Sequence, residues 1–348
     1  YIFSIDKEAD GWFSSYPSNT TNGTAYCQFS YITPKITAIV PQQKDYIKQY
    51  VDSFENALMQ NNFQDKQNGW RKFAQDSSFV DYFIVNEISR NVDGYRLSSF
   101  FHKDKYSVGG KIKAGPVWDF DLAFRNANYC SGSDTSGWAW QFNDVCAGDY
   151  WQVPFWWQRF NNDTAFTRTV LCRWKALRTS SLSDARIETL IDSVVNLTTT
   201  ARTRHFQKWN TLGYYVWPNP QPIATSYTEE IQLLKTWIHN RIQWIDGHLK
   251  QEGECAYFPP NVTASLVVNI APNPIVGDAK LYIQSSKDQM IAIQLYNMEG
   301  QLLQSFQKDV VRGMNSITQP MKTLAKGVYM IRIQSAAGEK FNKKFLKD

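Results

Sequence analysis

Three aspartates in the first half of the chain have side chains and positions that suit phosphate chemistry. Asp93 lies in the polar turn Asn-Val-Asp-Gly after an apolar segment, and Asp119 and Asp121 follow a short strand-like run further along. Carboxylates at the ends of regular elements can hold a divalent cation against a phosphate, and one beside an acceptor hydroxyl can take up its proton. Asp93 is therefore a candidate base, and the pair are candidate metal ligands.

These acids can meet only if the chain between them folds back. Strand signals at Ser99–His102 and Lys111–Val117 predict a hairpin that returns the aspartate pair to the turn of Asp93. If the second strand continued, Asp119 and Asp121 would share one of its faces, where two like charges are costly without a cation.

Two interpretations of these acids involve no function. Asp93 alone could be an ordinary turn residue, since Asn-Val-Asp-Gly is good turn chemistry. The aspartate pair could lie at a surface strand end and form ion pairs with Lys103, Lys105 or Arg125.

The elements around the acids read as mostly helical. Pro41 should open a helix, and Ser77, Ser183 and Thr228 should cap three others, because each precedes apolar residues at helical spacing. Besides the hairpin, a strand is expected only at Tyr1–Ile5.

The last eighty or so residues have a different pattern, with apolar and polar residues alternating as in strands. This pattern predicts strands at Leu266–Ile270, Lys280–Gln284, Ile291–Tyr296, Leu302–Phe306 and Val328–Gln334. All 13 tryptophans precede this region, and a Gly- and Pro-containing stretch separates the two parts. We therefore predict an α+β chain with a helical domain at 1–252, a linker at 253–265 and a small immunoglobulin-like β-sandwich at 266–348.

Charge and hydropathy exclude several classes of protein. The net charge of +5 lies entirely in residues 267–348, without a groove-reading motif, so we expect no nucleic-acid partner. No apolar run approaches the ~20 residues that span a bilayer. There is no C-x-x-C zinc pattern, G-x-S-x-G elbow or P-loop, and the four histidines share no ligand spacing.

The cysteines and the tryptophan-rich stretch leave alternatives open. Cys130 and Cys146 bracket a loop and could form a disulfide in an oxidising compartment, or all five cysteines could be buried thiols. The odd number leaves at least one free thiol. An aromatic run is expected in the core or a lid, with a platform for a sugar or peptide as the alternative; its members are Trp138, Trp140, Trp151, Phe155, Trp156 and Trp157.

Residues 1 to about 250 resemble the CotH family of atypical, secreted protein kinases, related to the bacterial spore-coat kinase. The resemblance rests on the helix DYFIVNEISRN, the turn NVDGY, the segment KIKAGPVWDFDLAF, the downstream RWKALR and the helix at 228–249. It implies Mg²⁺-dependent transfer of the ATP γ-phosphoryl group to a protein Ser or Thr. Asp93 would correspond to the catalytic-loop aspartate, Asp119 to the magnesium-binding aspartate and Asp121 to its partner acid.

The chain departs from the kinase pattern at three places. Ser98 replaces an Asn that usually holds the second metal, and its hydroxyl would coordinate more weakly. Arg125 replaces a frequent Gly and could either pair with phosphate or block the pocket. The glycine-rich cover and phosphate-binding Lys would be expected upstream of Tyr1. Two rival interpretations are an inactive pseudokinase that binds a glycan or protein, and a glycoside hydrolase that uses Asp93 with one of the paired aspartates.

Residues 267–348 resemble the C-terminal sorting tail of the type IX secretion system of Bacteroidetes. The matching features are APNP, YNMEGQ, LAKGVYMIRI and a lysine-rich last strand. The resemblance implies that the type IX machinery is a partner and that the protein is secreted or displayed on the cell surface.

Overall fold

The structure is a computed structural model that describes residues 1–7, 10–18, 25–250, 255, 266–271, 273–285, 287–311, 313–336, 338 and 340–348. The chain divides into two compact units, residues 1–256 and 257–348. Apart from Cys255, the predicted linker at 253–265 lies outside the described residues.

The first unit contains one antiparallel sheet with the strand order β2-β3-β1-β4-β5. Its strands are β1 Ile2–Ile5, β2 Trp12–Ser18, β3 Ala25–Thr33, β4 Ser99–Lys103 and β5 Ile112–Ala114. The predicted hairpin is present, because β4 pairs with β5. The sequence prediction missed β2 and β3, and β5 ends before the predicted Val117.

Eight helices are described in this unit. They are α1 Pro41–Met59, α2 Asp76–Ser89, α3 Phe142–Val145, α4 Trp156–Asn161, α5 Thr164–Arg178, α6 Asp184–Leu197, α7 Thr199–Lys208 and α8 Tyr227–His248. Pro41 opens α1 and Ser183 occupies the N-cap of α6, as predicted. No helix was predicted at α3, α4, α5 or α7.

Two predicted helix caps are wrong. The N-cap of α2 is Gln75, and Asp76 supplies the first-turn negative charge that favours a helix N-terminus, so Ser77 already lies inside the helix. The N-cap of α8 is Ser226, whose hydroxyl accepts the Glu229 N–H at 3.2 Å. Thr228 therefore lies inside α8.

An aromatic core joins the sheet to α1, α2, α4, α5 and α8. Its largest fully buried apolar side chains are Trp70, Trp156, Trp157, Tyr95, Phe3, Phe29, Phe54, Phe79 and Phe101. Three residues of the predicted aromatic run, Phe155, Trp156 and Trp157, belong to this core. Trp138 and Trp140 pack against it partly exposed.

A buried ion pair connects α2 to α8. Glu87 accepts hydrogen bonds from the Tyr95 hydroxyl, from Arg241 and from the backbone N–H groups of Ala139 and Trp140, at 2.8–3.0 Å. Arg241 also donates to the backbone carbonyl of Glu87. Both side chains are excluded from solvent and have hydrogen-bond partners, which is how buried charges are tolerated.

Two disulfides occur among the described residues. One links Cys130 to Cys146 and the other links Cys172 to Cys255, while Cys27 is a buried free thiol. The pairing expected as an alternative for Cys130 and Cys146 is therefore present, and a free thiol remains.

The second unit is a sandwich of a three-stranded and a four-stranded antiparallel sheet. Its strands are β6 Leu266–Ala271, β7 Ala279–Ser285, β8 Gln289–Asn297, β9 Leu302–Val310, β10 Gly313–Gln319, β11 Gly327–Gln334 and β12 Lys340–Lys347. Alternate residues of both sheets form a separate core. All five strands predicted from alternation are present, and the α+β fold class with a β-sandwich is confirmed.

Candidate active site

The structure brings together the two segments that carry the predicted acids. Val92 N–H donates to the Leu122 carbonyl at 3.2 Å, and Phe124 N–H donates to the Ser89 carbonyl at 2.7 Å. Arg90, with φ 45°, ends α2 in the left-handed conformation and turns the chain. The end of α2 and the loop after β5 are thus joined through their backbones.

Asp93 lies in a tight turn that its neighbours fix. The Asn91 carboxamide oxygen accepts the Asp93 N–H at 3.2 Å, and the Asp93 carbonyl accepts the Leu97 N–H at 2.9 Å. A side chain at Gly94 would place a Cβ 2.9 Å from the Asn91 carbonyl oxygen and against the buried Asn86 carboxamide. The glycine therefore allows the turn to pack closely on α2.

The Asp93 carboxylate is oriented by Arg96, which is almost fully buried. Arg96 donates from Nη2 to Asp93 Oδ1 at 2.8 Å and from Nη1 to Asp149 Oδ1 at 3.2 Å. Its guanidinium lies 3.9 Å from the ring centroid of Phe142. Burial raises the pKa of Asp93, and the nearby Arg96 charge opposes that rise. The Asp93 carboxylate is thus fixed in position by Arg96, and its proton affinity exceeds that of a solvated aspartate.

Asp119 and Asp121 are exposed and lie in irregular backbone. Asp119 has φ 60° and β5 already ends at Ala114, so the expected common strand face is wrong. The carboxyl groups of Asp119 and Asp121 are nevertheless adjacent. Burial raises the pKa of Asp119, and the charge of Asp121 and a hydrogen bond with that carboxyl raise it further. The Ser98 hydroxyl lies 3.4 Å from Asp119 Oδ2, and Asn91 Nδ2 lies 3.5 Å from its carbonyl oxygen.

Two cations expected as surface partners of the pair have other partners. Lys103 is buried and donates to the Tyr46 hydroxyl at 2.9 Å. Arg125 faces Glu230 at 3.4 Å and donates to the carbonyls of Pro222 and Pro220 at 2.6 and 3.2 Å. Lys103 and Arg125 therefore do not support the interpretation that Asp119 and Asp121 form strand-end ion pairs with them. Arg125 instead binds the loop before α8.

Besides Arg96, four residues near the acids were not found from the sequence. Asp6 interacts electrostatically with Asp119, and the Lys7 ammonium and the Tyr129 hydroxyl interact electrostatically with Asp93. Asp149 joins the group through Arg96. They come from three distant stretches of chain, so no local spacing connects them.

The chemistry of the donor set fits a magnesium ion. Magnesium in nucleotide sites is bound by one or two carboxylates, with substrate phosphates and waters completing its shell. Asp119 and Asp121 offer two adjacent carboxylates whose mutual repulsion a divalent cation would remove, and Ser98 offers a hydroxyl. In the part of the chain that the structure describes, no group of three or more His, Cys, Asp or Glu side chains forms a metal cage.

Comparison with protein families gives two matches. Residues 15–245 match the family described as CotH kinase protein, and residues 269–348 match the secretion system C-terminal sorting domain. The first match covers more than half of the chain, so the chain belongs to the CotH kinase protein family. The second match is to the type IX sorting domain, which makes this a secreted or cell-surface protein that engages type IX secretion.

No curated protein matches the chain. One solved structure, a DUF3244 family protein with an immunoglobulin-like β-sandwich fold from Bacteroides vulgatus, is 18% identical, with 24% of this chain and 94% of that chain covered and a TM-score of 0.17. Every helix in the described residues is too short or too polar to cross a membrane.

Proposed function

We propose that the first unit is a Mg²⁺-dependent kinase domain that transfers the γ-phosphoryl group of ATP to a Ser or Thr of a protein. The observation that carries this proposal is the meeting of the partly buried carboxyl of Asp93, held by Arg96, with the exposed carboxylate pair Asp119 and Asp121. Membership of the CotH kinase protein family supports it.

Each residue has a role that its surroundings support. Asp119 and Asp121, with Ser98, would hold Mg²⁺, which when bound neutralises phosphate charge. Arg96 holds Asp93 through one carboxylate oxygen, so the other can accept the proton of the acceptor hydroxyl. We assign no phosphate-binding role to Arg125, because its guanidinium is bound to Glu230 and to two backbone carbonyls.

The test compares the full chain with its Asp119→Asn variant. Mg-ATP at a hundred times its dissociation constant should stabilise the wild type by about 2.7 kcal/mol in thermal unfolding. Asp119→Asn should lose both this stabilisation and phosphotransfer from labelled ATP, because a neutral amide is a weaker magnesium ligand. Asp192→Asn, an exposed aspartate of α6 that pairs with Lys235, is the matched control and should behave as wild type.

The proposal fails if the wild type shows neither Mg-ATP stabilisation nor transfer, or if Asp119→Asn retains both. The second candidate function, an inactive surface module that binds a glycan or protein, would then gain. The observation that favours this candidate is a run of exposed aromatic residues before α8.

A further inference from the structure

We propose that the loop between α7 and α8 docks the acceptor polypeptide beside the acid cluster. This inference rests on the proposed kinase function. Five large apolar side chains in nine consecutive positions are exposed: Trp209 (51%), Tyr214 (63%), Tyr215 (55%), Val216 (43%) and Trp217 (63%). We call these five residues the aromatic platform. Grouped exposed aromatic residues are typical of interaction sites, because isolated ones are the norm on other surfaces.

The aromatic platform is held in place by the segment that follows the acid pair. Arg125 donates to the carbonyls of Pro220 and Pro222, and Asn128 Nδ2 donates to the Tyr215 hydroxyl at 2.9 Å. Within the loop, Gly213 N–H donates to the Ala224 carbonyl at 2.8 Å. The exposed rings are therefore presented on an ordered loop, which lowers the entropic cost of binding.

Tyr129 connects the aromatic platform to Asp93. Its ring stacks on Trp217 with a centroid distance of 6.2 Å and an interplanar angle of 10°. Burial, and next the charge of Asp93, raises the pKa of the Tyr129 hydroxyl, which places that hydroxyl within electrostatic reach of the candidate base. A polypeptide whose Ser or Thr lies at Asp93 can thus continue over Tyr129 onto Trp217.

The far end of the aromatic platform carries positive charge. Helix α7 contains Arg202, Arg204 and Lys208 and no carboxylate. Lys208 Nζ lies 4.5 Å from the ring centroid of Trp209, where the platform begins. Acidic side chains complement this end, whereas a neutral sugar gains nothing from its charge.

The occupant that these features fit is an acceptor segment with an aromatic or large aliphatic residue and, further from its hydroxyl, acidic residues. In the transfer, the acceptor oxygen bonds to the γ-phosphorus as the bond to the β,γ-bridging oxygen breaks. ADP leaves, and the hydroxyl proton passes to Asp93. The aromatic platform takes no part in these bonds and acts only in binding and positioning.

The experiment measures phosphotransfer by the full chain to two synthetic peptides. Each contains one serine followed by a phenylalanine, and the next residues are glutamates in one peptide and lysines in the other. Trp217→Ser should raise KM for the glutamate peptide about tenfold and leave KM for ATP unchanged, because only the acceptor loses a stacking surface. Arg204→Glu should raise KM for the glutamate peptide and lower it for the lysine peptide.

Leu197→Ser is the matched control, since Leu197 is 85% exposed at the end of α6, outside the aromatic platform. An active enzyme whose KM values are unaffected by Trp217→Ser and Arg204→Glu would overturn this inference and leave the proposed function intact. A wild type that neither binds Mg-ATP nor transfers phosphate would overturn the proposed function instead.

A binding titration followed by tryptophan fluorescence keeps the inference testable without activity. The glutamate peptide should bind the wild type and Leu197→Ser more tightly than Trp217→Ser. Tighter binding of a neutral oligosaccharide would overturn the polypeptide as occupant, and so would self-association in sedimentation that Trp217→Ser abolishes.

Discussion

Two carboxylate sites lie near the C-terminal end of α2, and one is buried whereas the other is exposed. Glu87 is buried and accepts four hydrogen bonds, one of them from the buried Arg241. Asp119 and Asp121 are exposed and have each other and the Ser98 hydroxyl as neighbours. The first arrangement resembles how folds stabilise a buried charge, whereas the second leaves like charges for a cation to compensate.

The comparison shows why an ionisable cluster is not by itself a functional site. A buried carboxylate must have partners because water cannot solvate it, so the Glu87 group has little left to offer a ligand. The exposed pair can remain incompletely paired because water solvates it in the absence of metal. Incomplete pairing at an exposed position therefore marks the candidate site more clearly than charge density does.

The largest effect on stability is expected from breaking the buried ion pair between Glu87 and Arg241. Arg241→Met should lower the free energy of unfolding by about 3–5 kcal/mol, because it leaves Glu87 buried without its cation. The measurement is urea denaturation followed by tryptophan fluorescence, which reports on the first unit because all 13 tryptophans lie between Trp12 and Trp244.

Asp121→Asn is the matched change in the exposed pair of Asp119 and Asp121. It removes a like charge beside Asp119, so stability should stay the same or rise. If Arg241→Met were neutral, or Asp121→Asn destabilised the unit as strongly, the distinction between the two carboxylate groups would be wrong.

Glu55 of α1 is a third kind of carboxylate, because it is buried like Glu87 but has no cation beside it. Its carboxylate accepts from Ser14 Oγ at 2.7 Å, Trp156 Nε1 at 2.8 Å and Ser15 N–H at 3.3 Å. Burial raises its pKa from 4.5 to about 7. Because the folded-state pKa exceeds the unfolded one, its contribution is fully present below about pH 4.5 and is lost as pH rises through about 7.

The stability of wild type relative to Glu55→Gln should therefore fall by about 2–3 kcal/mol between about pH 5 and pH 8. Urea denaturation at a series of pH values measures this difference. Glu188→Gln, which changes an exposed glutamate of α6, is the matched control. A flat profile for Glu55→Gln would mean that Glu55 does not titrate in this range.

The smallest expected effect concerns Asp93, which is partly buried and held by a cation. Arg96→Gln removes the charge that opposes the raised pKa of Asp93, so that pKa should rise further. The acid limb of the kcat/KM profile should then move to higher pH by about one unit. Carboxyl ¹³C resonances give the same pKa independently of activity.

Arg96→Lys retains the charge and should leave the acid limb near its wild-type position. A merely structural role for Arg96 predicts lower kcat at every pH in both variants, with no movement of the limb. That result would remove the proposed electrostatic control of Asp93.

The sequence could predict those elements whose signals are local. Pro41 and the apolar spacing identified α1, and alternation identified five strands of the second unit. Strands β2 and β3 were missed because they pack on β1 and α1 through contacts that no local pattern records. The caps of α2 and α8 were misplaced because several Ser and Thr residues compete for one position, and only the backbone geometry decides between them.

The site was partly predictable for the same reason. The acids stood out because each is close in sequence to the end of a regular element, and the hairpin between them could be predicted. Asp149 is bound to Arg96 across 53 residues of chain, and Tyr129 reaches Asp93 from the loop after the acid pair. Such contacts depend on tertiary structure, as does the attachment of Arg125 to the loop before α8.

The disulfide between Cys130 and Cys146 has a consequence for when the site matures. It joins the residue after Tyr129 to the loop that leads to Asp149, so it closes covalently around two neighbours of Asp93. Thiols are kept reduced in the cytoplasm and pair in oxidising compartments. Because the sorting domain directs this protein out of the cytoplasm, we expect the disulfide to close this loop only after export.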